Sequence, residues 1–310
     1  MTAENVSPAE SASPGKNSSR AEITRFAPSP SGYLHLGHAY SALFTAHAAE
    51  ARGGRFLLRI DDIDIERARP AFEAAIFEDL AWLGLSWAQP LRRQSECQGD
   101  YALAVERLQA GGVIYPCFCT RKDIAAEIAR AGAAPHGPGE TVYPGTCRAL
   151  DADTRARRIA AGEAHALRLD TEKALAMAEA EQGARLTWHD RTRGTQTCDP
   201  RPQGDVVITR KDVAASYHLS VVVDDAAQGI TLVTRGEDLF EASHVHRLLQ
   251  HLLDLPVPDY HHHRLLTDEN GKRLAKRHDA LSIRSLRAAG HSAEAVIAMT
   301  GLPEEIGSAG

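Results

Sequence analysis

The segment Arg25-Phe-Ala-Pro-Ser-Pro-Ser-Gly-Tyr-Leu-His-Leu-Gly-His38 sets two imidazoles, His35 and His38, around Gly37. Ile23–Ala27 is short and mostly apolar, Pro28, Pro30 and Gly32 force a loop, and the alanine-rich stretch from Leu36 to Arg52 reads as a helix. The histidines therefore fall where a helix begins. Free N–H groups and positive potential at a helix N-terminus suit nucleotide phosphates, and neighbouring imidazoles can donate to developing charge. Gly37 would let a purine or backbone come close. By itself H-x-G-H equally describes a loop with surface histidines.

Further groups could work beside that helix end. Arg59-Ile-Asp-Asp-Ile-Asp64 follows an apolar strand, Phe56–Ile60. Carboxylates at the end of a parallel strand face the ligand crevice and can pair with an ammonium group, although a solvated acidic turn reads the same way. Gly271-Lys-Arg-Leu-Ala-Lys-Arg277 is either a solvated basic face or a mobile loop that closes over a triphosphate. Cys117-Phe-Cys119 and Tyr143-Pro-Gly-Thr-Cys147 bring three thiols and a phenol together around a Gly/Pro-rich loop, a donor set that suits tetrahedral Zn²⁺. His136 competes with Tyr143 for the fourth position, and simple buried thiols remain the alternative. Cys97 and Cys198 fit no ligand spacing. His261-His-His263 lies on consecutive strand positions that alternate between faces, so it is read as structural.

The elements that would position these groups alternate between strand and helix, which favours a parallel α/β sheet. Helices are expected at about Pro70–Leu83, Asp100–Ala110 and Asp238–Leu253, and strands at Val206–Thr209, Leu219–Val223 and Ile230–Val233. The rhythm breaks between Tyr115 and Leu150. The chain divides into a disordered tail over 1–22, a first half of the sheet over 23–114, an insertion over 115–205, a second half over 206–267, and a basic loop with short helices over 268–310. With 43% hydrophobic and 25% charged residues, it can bury a full core. A net charge of −6 excludes a generally basic nucleic-acid coater and confines any RNA contact to a local patch. Met1–Arg20 lacks the apolar core of a signal peptide, no run is long enough to span a bilayer, and five cysteines is odd for a disulfide framework. A cytoplasmic protein with reduced thiols and no membrane partner is expected.

Taken together the strings resemble those of class I glutamyl-tRNA synthetases, from Ile23 to about Leu286. The first is similar to that family's ATP-binding signature, including its R-F-A-P-S-P opening, and Arg59–Asp64 resembles its R-I-E-D-T-D string. Tyr217-His-Leu-Ser-Val-Val-Val-Asp-Asp225 resembles its strand with a substrate-binding tyrosine, Thr234-Arg-Gly-Glu-Asp-Leu239 its arginine-bearing turn, and Gly271–Arg277 its K-L-S-K loop. The resemblance implies a Rossmann-type class I catalytic domain split by a zinc-bearing insertion, with Cys117, Cys119, Tyr143 and Cys147 as ligands. It places Arg25, Phe26, Ala27, Pro28, Ser29, Asp61, Tyr217 and Arg235 around L-glutamate. It also places His35, Gly37, His38, Arg273 and Lys276 around ATP and its Mg²⁺, with His35, His38 and Lys276 stabilising charge in the reaction. Arg25 and Arg235 would each take a carboxylate, and two guanidinium forks suit a dicarboxylic amino acid better than its amide. The chain departs from the family at Asp61, one methylene shorter than the usual Glu, so a water would bridge to the substrate. It departs again at Arg273 and Ala275, where the loop usually has lysine and serine.

Beyond Arg277 the sequence predicts only short helices, Ile283–Ala289 and Ala293–Met299, so no anticodon-binding domain is expected. This resembles the shortened branch of the family, whose members pass glutamate to queuosine in the anticodon loop of tRNA(Asp). Two alternatives stay open: charging of a tRNA 3′ end, and a non-catalytic RNA-binding module. A monomer is expected.

Overall fold

The computed structural model describes residues 21–130, 142–211, 213–267 and 282–302. The tail Met1–Arg20, His136, and the basic loop with Arg273, Ala275 and Lys276 lie outside the described residues.

The first half of the fold runs β1 (Ile23–Phe26), α1 (Leu36–Glu50), β2 (Arg55–Ile60), α2 (Pro70–Trp82), β3 (Ala88–Arg93) and α3 (Gln98–Ala110). β1, β2 and β3 form a parallel sheet in that order. Five successive residues of β2, Phe56 to Ile60, are buried, as expected for a parallel strand covered on both faces. Phe26, Leu36, Ala39, Phe56, Leu58, Ile60, Ile76 and Leu80 close one core between that sheet and α1 and α2. Pro70 starts α2, its fixed φ and missing N–H costing nothing at the first helical position. Glu22, inside the expected tail, is buried and ion-pairs with Arg191.

The chain continues through β4 (Ile114–Cys117), α4 (Arg121–Arg130), α5 (Ala152–Ala160), β5 (Ala166–Leu169), α6 (Thr171–Gln182), β6 (Thr187–Asp190), β7 (Gly194–Thr197) and β8 (Val207–Thr209). It ends through α7 (Tyr217–Ala227), β9 (Leu232–Gly236), α8 (Ala242–Leu252), β10 (Asp259–His263), α9 (Ile283–Ala288) and α10 (Ala293–Met299). β4, β5 and β8 make a small antiparallel sheet, while the β6–β7 hairpin joins β10 and β9 in the order β7-β6-β10-β9. The boundary expected at 205/206 is thus crossed in both directions. β8 belongs to the insertion's sheet, and Trp188 and Cys198 are buried in the main core with Val233, Leu248 and Tyr260.

One element differs in kind from its expectation. Leu219–Val223 is the middle of helix α7, not a strand. A continuous apolar run carries no period, so burial on all sides reads alike for either structure. The deciding local signal is Ser216, extended at φ −87° and ψ 169°, whose hydroxyl accepts from the Leu219 N–H and caps the helix. Tyr217 therefore opens a helix. Arg235 in turn lies on β9 itself, one residue before its end.

The parallel β1-β2-β3 sheet and the mixed β7-β6-β10-β9 sheet meet edge to edge at β1 and β9. Thr231 donates from its backbone to the Ile23 carbonyl at 3.0 Å, and further along Arg25 Nη1 donates to the Thr234 carbonyl at 3.2 Å. A side chain thus occupies a position where a strand ladder would otherwise run. The crevice at the C-terminal ends of β1, β2, β9 and β10 is where open parallel sheets receive ligands. Among the described residues no helix is long and apolar enough to cross a membrane.

Candidate functional site

His35 is the N-cap of α1. Its Nδ1 accepts from Gly37 N at 3.1 Å, and His38 Nδ1 accepts from His35 N at 3.1 Å. With both Nδ1 atoms used as acceptors, each neutral ring carries its proton on Nε2. The rings lie 3.8 Å apart, centroid to centroid. A Cβ on Gly37 would sit 3.0 Å from His35 Cε1, so glycine is what lets the ring fold back over the helix end. Both histidines line a crevice of about 320 Å³, together with Arg25, Asp61, Tyr217 and Arg235. Phe26, Ala27, Pro28, Ser29 and Gly37 also face it, so the expected glutamate residues and the described ATP residues share one cavity.

Beneath it lies a buried ionic network. Arg25 donates from Nε and Nη2 to the two oxygens of Asp225, at 2.8 and 3.2 Å. Arg59, fully buried, donates from Nη1 to Asp225 Oδ1 at 2.6 Å and from Nε to Asp61 Oδ1 at 2.7 Å. Burial works to raise the Asp225 pKa, but the two guanidiniums outweigh it and hold the group below the usual carboxylate range. Asp61 ends at about 6, because burial raises it further than Arg59 lowers it. Asp224, one residue away, accepts from Arg92, Gln94 and Tyr101. Asp62 points elsewhere, accepting from Ser95 N and Oγ.

Arg235 is different. It is 6% exposed, and its fork reaches only neutral acceptors: His262 Nε2 at 3.2 Å, His246 Nδ1 at 3.1 Å, the Tyr217 hydroxyl at 3.4 Å and the Ser243 hydroxyl. Burial, then the charge of Arg235, lowers the pKa of His262 to about 4 and of His246 well below its ordinary value, and also takes His218, 3.2 Å from His246, to about 4. Among the described residues no carboxylate touches Arg235. The nearest one along its contacts, Asp190, is an imidazole away behind His262. Arg25 thus has its anion inside the protein, whereas Arg235 lines the crevice without a carboxylate partner among the described residues.

A second crevice, of about 900 Å³, continues from the first between the catalytic body and the insertion. It shares Ala27, Ser29, Asp61 and Tyr217, and Arg67, Arg121, Arg210 and Lys211 line it further out. In the insertion, Cys117, Cys119 and Cys147 place their sulfurs within 4.8 Å of one another. Cys119 Sγ is 3.5 Å from Cys147 Sγ and 3.7 Å from the Tyr143 hydroxyl, and Phe118 N donates to Cys147 Sγ. These spacings suit one tetrahedral metal ion, for which ligand sulfurs stand nearly 4 Å apart. Cys97 and Cys198 donate to backbone carbonyls away from the cluster.

Several contributors receive no site role from the sequence: Arg59 and Asp225 appear there only within motifs, His262 is read as structural, and Ser243, His246 and Asp190 carry no local signal. The Asp224-Asp225 pair closing an apolar run was a usable signal, since adjacent acids after buried valines need cations. The histidine triplet divides as strand alternation predicts. His262 stacks with Tyr260 on one face, while His261 and His263 pack on Phe44 on the other. His263 also lines the crevice.

A parallel sheet split around a helix N-terminus with an H-x-G-H cap, a basic fork and a cysteine-bearing insertion is the architecture of a class I synthetase catalytic domain. Residues 23–303 match the family of tRNA synthetases class I (E and Q), catalytic domain, and the chain belongs to that family. A glutamyl-Q tRNA(Asp) synthetase of Rhodobacter capsulatus is 50% identical over 284 residues, covering 90% of this chain and the whole of that protein. One of Nocardia farcinica is 44% identical over 275 residues, 89% of this chain and 82% of that one. A crystal structure of a glutamate tRNA ligase from Elizabethkingia meningosepticum in complex with its amino acid superposes with a TM-score of 0.68 at 26% identity. It covers 83% of this chain, which spans 52% of the ligase's length.

Proposed function

We propose that this protein activates L-glutamate with ATP·Mg²⁺ and transfers it to the queuosine base in the anticodon loop of tRNA(Asp), acting as a monomer in the cytoplasm. The observation that carries the amino-acid part is Arg235, a buried guanidinium that faces the crevice with no carboxylate of its own among the described residues. A substrate carboxylate supplies the missing anion, and its charge is what a buried guanidinium prefers over a neutral amide. Arg25, tied to Asp225, retains N–H donors toward the same cavity for the second carboxylate. Asp61 faces the ammonium group.

In the first step the glutamate α-carboxylate attacks the α-phosphorus of ATP, the bond to the bridging oxygen breaks, and pyrophosphate leaves. The Nε2–H groups of His35 and His38, together with the end of α1, stabilise the charge that develops, and Lys276 adds to this from the basic loop. Positioning and electrostatics supply most of the rate. In the second step a hydroxyl of the cyclopentene ring attacks the mixed anhydride, forms an ester and releases AMP. The second crevice, contiguous through Tyr217 and Asp61, is the place for that nucleoside, with Arg67, Arg121, Arg210 and Lys211 against its phosphates. A Zn²⁺ ion held by Cys117, Cys119, Cys147 and Tyr143 would fix the insertion in place; its contribution is structural.

The test is mass spectrometry of anticodon-loop nucleosides after incubation of tRNA with protein, glutamate and ATP. A glutamylated queuosine from tRNA(Asp) whose 3′-terminal ribose is blocked is expected. Loss of all transfer on blocking that ribose would replace this reading with 3′-end charging. Absence of glutamate-dependent pyrophosphate exchange would leave a non-catalytic module.

A further inference from the structure

Arg235 is the group on which the glutamate reading rests, and its orientation is set by residues distant in sequence. Asp190 closes β6, beyond the cysteine cluster, yet it is fully buried beside β10. Its Oδ1 accepts from Thr192 N at 2.9 Å, Thr192 Oγ1 at 2.5 Å and Arg193 N at 2.9 Å. Its Oδ2 accepts from His262 Nδ1 at 2.6 Å and from the His262 backbone N–H at 3.3 Å. The His262 proton is thereby held on Nδ1, which leaves Nε2 as an acceptor. That atom receives Arg235 Nε at 3.2 Å and lies 3.2 Å from the Ser243 hydroxyl, which itself accepts from Arg235 Nη2.

We propose that Asp190 and His262 are positioning residues for the substrate: the carboxylate fixes the imidazole's tautomer, and the imidazole orients the Arg235 fork toward the glutamate carboxylate. This rests on the reading of the crevice as a glutamate site. With Nε2 as acceptor, Nε of Arg235 is anchored inward, Nη1 is held by His246 and Tyr217 and Nη2 by Ser243, and the second Nη2 N–H is left for the crevice. With a proton on Nε2, two N–H groups would oppose each other in a dry pocket, and the guanidinium would have to turn. Merely filling space behind Arg235 would not require this polarity. The β6–β7 hairpin, part of the insertion by sequence, is thereby coupled to amino-acid binding.

The test uses the full chain, glutamate-dependent pyrophosphate exchange, and calorimetric binding of glutamate without ATP. In Asp190→Asn the three donors on Oδ1 keep that atom an oxygen, so the new NH₂ faces His262 Nδ1 and drives its proton to Nε2. The glutamate KM is expected to rise at least about tenfold, the factor carried by a loss of about 1.4 kcal/mol, while the ATP KM stays within about twofold. His262→Leu, which removes the acceptor, should behave likewise, and His262→Gln, which keeps an oxygen in reach of Arg235, should recover most of the affinity. Both Asp190→Asn and His262→Leu with wild-type glutamate KM would overturn the proposal, as would equal rises in the KM of ATP and glutamate. A wild-type protein that binds no glutamate would instead remove the underlying site reading.

Discussion

The carboxylate of Asp225 grips Arg25 edge-on, with Nε at 2.8 Å and Nη2 at 3.2 Å, across 200 residues of chain. The same carboxylate receives Arg59 Nη1 at 2.6 Å, so one side chain of α7 ties β1 and β2 together beneath the crevice. A residue expected to hold substrate is therefore also a strut of the sheet junction. Changes here alter stability and binding together.

Replacing Asp225 by Ala leaves two buried guanidiniums without their shared anion. A loss of about 3–5 kcal/mol is expected, the usual cost of removing one partner of a buried pair. Urea denaturation checks it. Arg25→Ala should abolish glutamate-dependent exchange and also lower stability, and an unchanged unfolding midpoint would show that the Asp225 contact contributes little.

His35 caps α1 through Nδ1 and presents Nε2–H as a donor, and these two roles can be separated. His35→Asn offers an oxygen that caps the helix nearly as well, so stability should change by less than about 1 kcal/mol. The exchange rate should nonetheless fall about 10²–10³-fold, the range for deleting one preorganised donor. His35→Ala should lose both.

Asp61 sits at about 6 because burial outweighs Arg59. The ionised form pairs with the substrate ammonium, so glutamate affinity measured by calorimetry should fall as pH drops below about 6. The slope should approach one proton and vanish in Asp61→Asn. Asp61→Glu, which restores one methylene of reach, should retain activation. A flat profile from pH 5 to 7.5 would remove Asp61 from the ammonium site.

His262 has its pKa lowered from 6.5 to about 4. Between those values the unfolded chain binds a proton that the native protein does not, so this group's contribution to stability is full above 6.5 and is lost as pH falls toward 4. Asp61 and Asp79, both raised to about 6, act in the opposite direction, gaining stability on acidification. His262→Gln should therefore flatten the acid-side decline by up to one proton, about 1.4 kcal/mol per pH unit. Denaturation midpoints from pH 4.5 to 7 measure it.

Purified without chelator, the protein should carry about one zinc per chain. Cys119→Ser should release it and loosen the insertion, seen as faster amide exchange around β4 and α5, while exchange in α1 and β2 stays slow. Retention of zinc in Tyr143→Phe together with its loss in His136→Ala would move the fourth ligand to His136. Metal analysis finding no zinc in the wild type would remove the site.

Much of the site was legible because its chemistry is local. His35, Gly37 and His38 lie within one helical turn, and the close spacings Cys117–Cys119 and Tyr143–Cys147 each present two donors from one short segment. α7 was misread because Leu219–Val223 is apolar at every position and carries no period. That β8 joins β4 and β5 while the β6–β7 hairpin joins β10 is decided by edge pairing, which no local pattern reports.

The sequence by itself determined the local settings of His35, His38, Asp61 and the cysteines, since backbone propensity, capping and short-range spacing act over a few residues. The tertiary structure alone decided which arginine keeps an internal anion and which does not. Asp225 reaches Arg25 from 200 residues away, and Asp190 reaches His262 from 72. Such partners are chosen by packing in a buried, low-dielectric space, where each charge takes whichever group the fold brings within 3 Å, and no spacing along the chain encodes that choice.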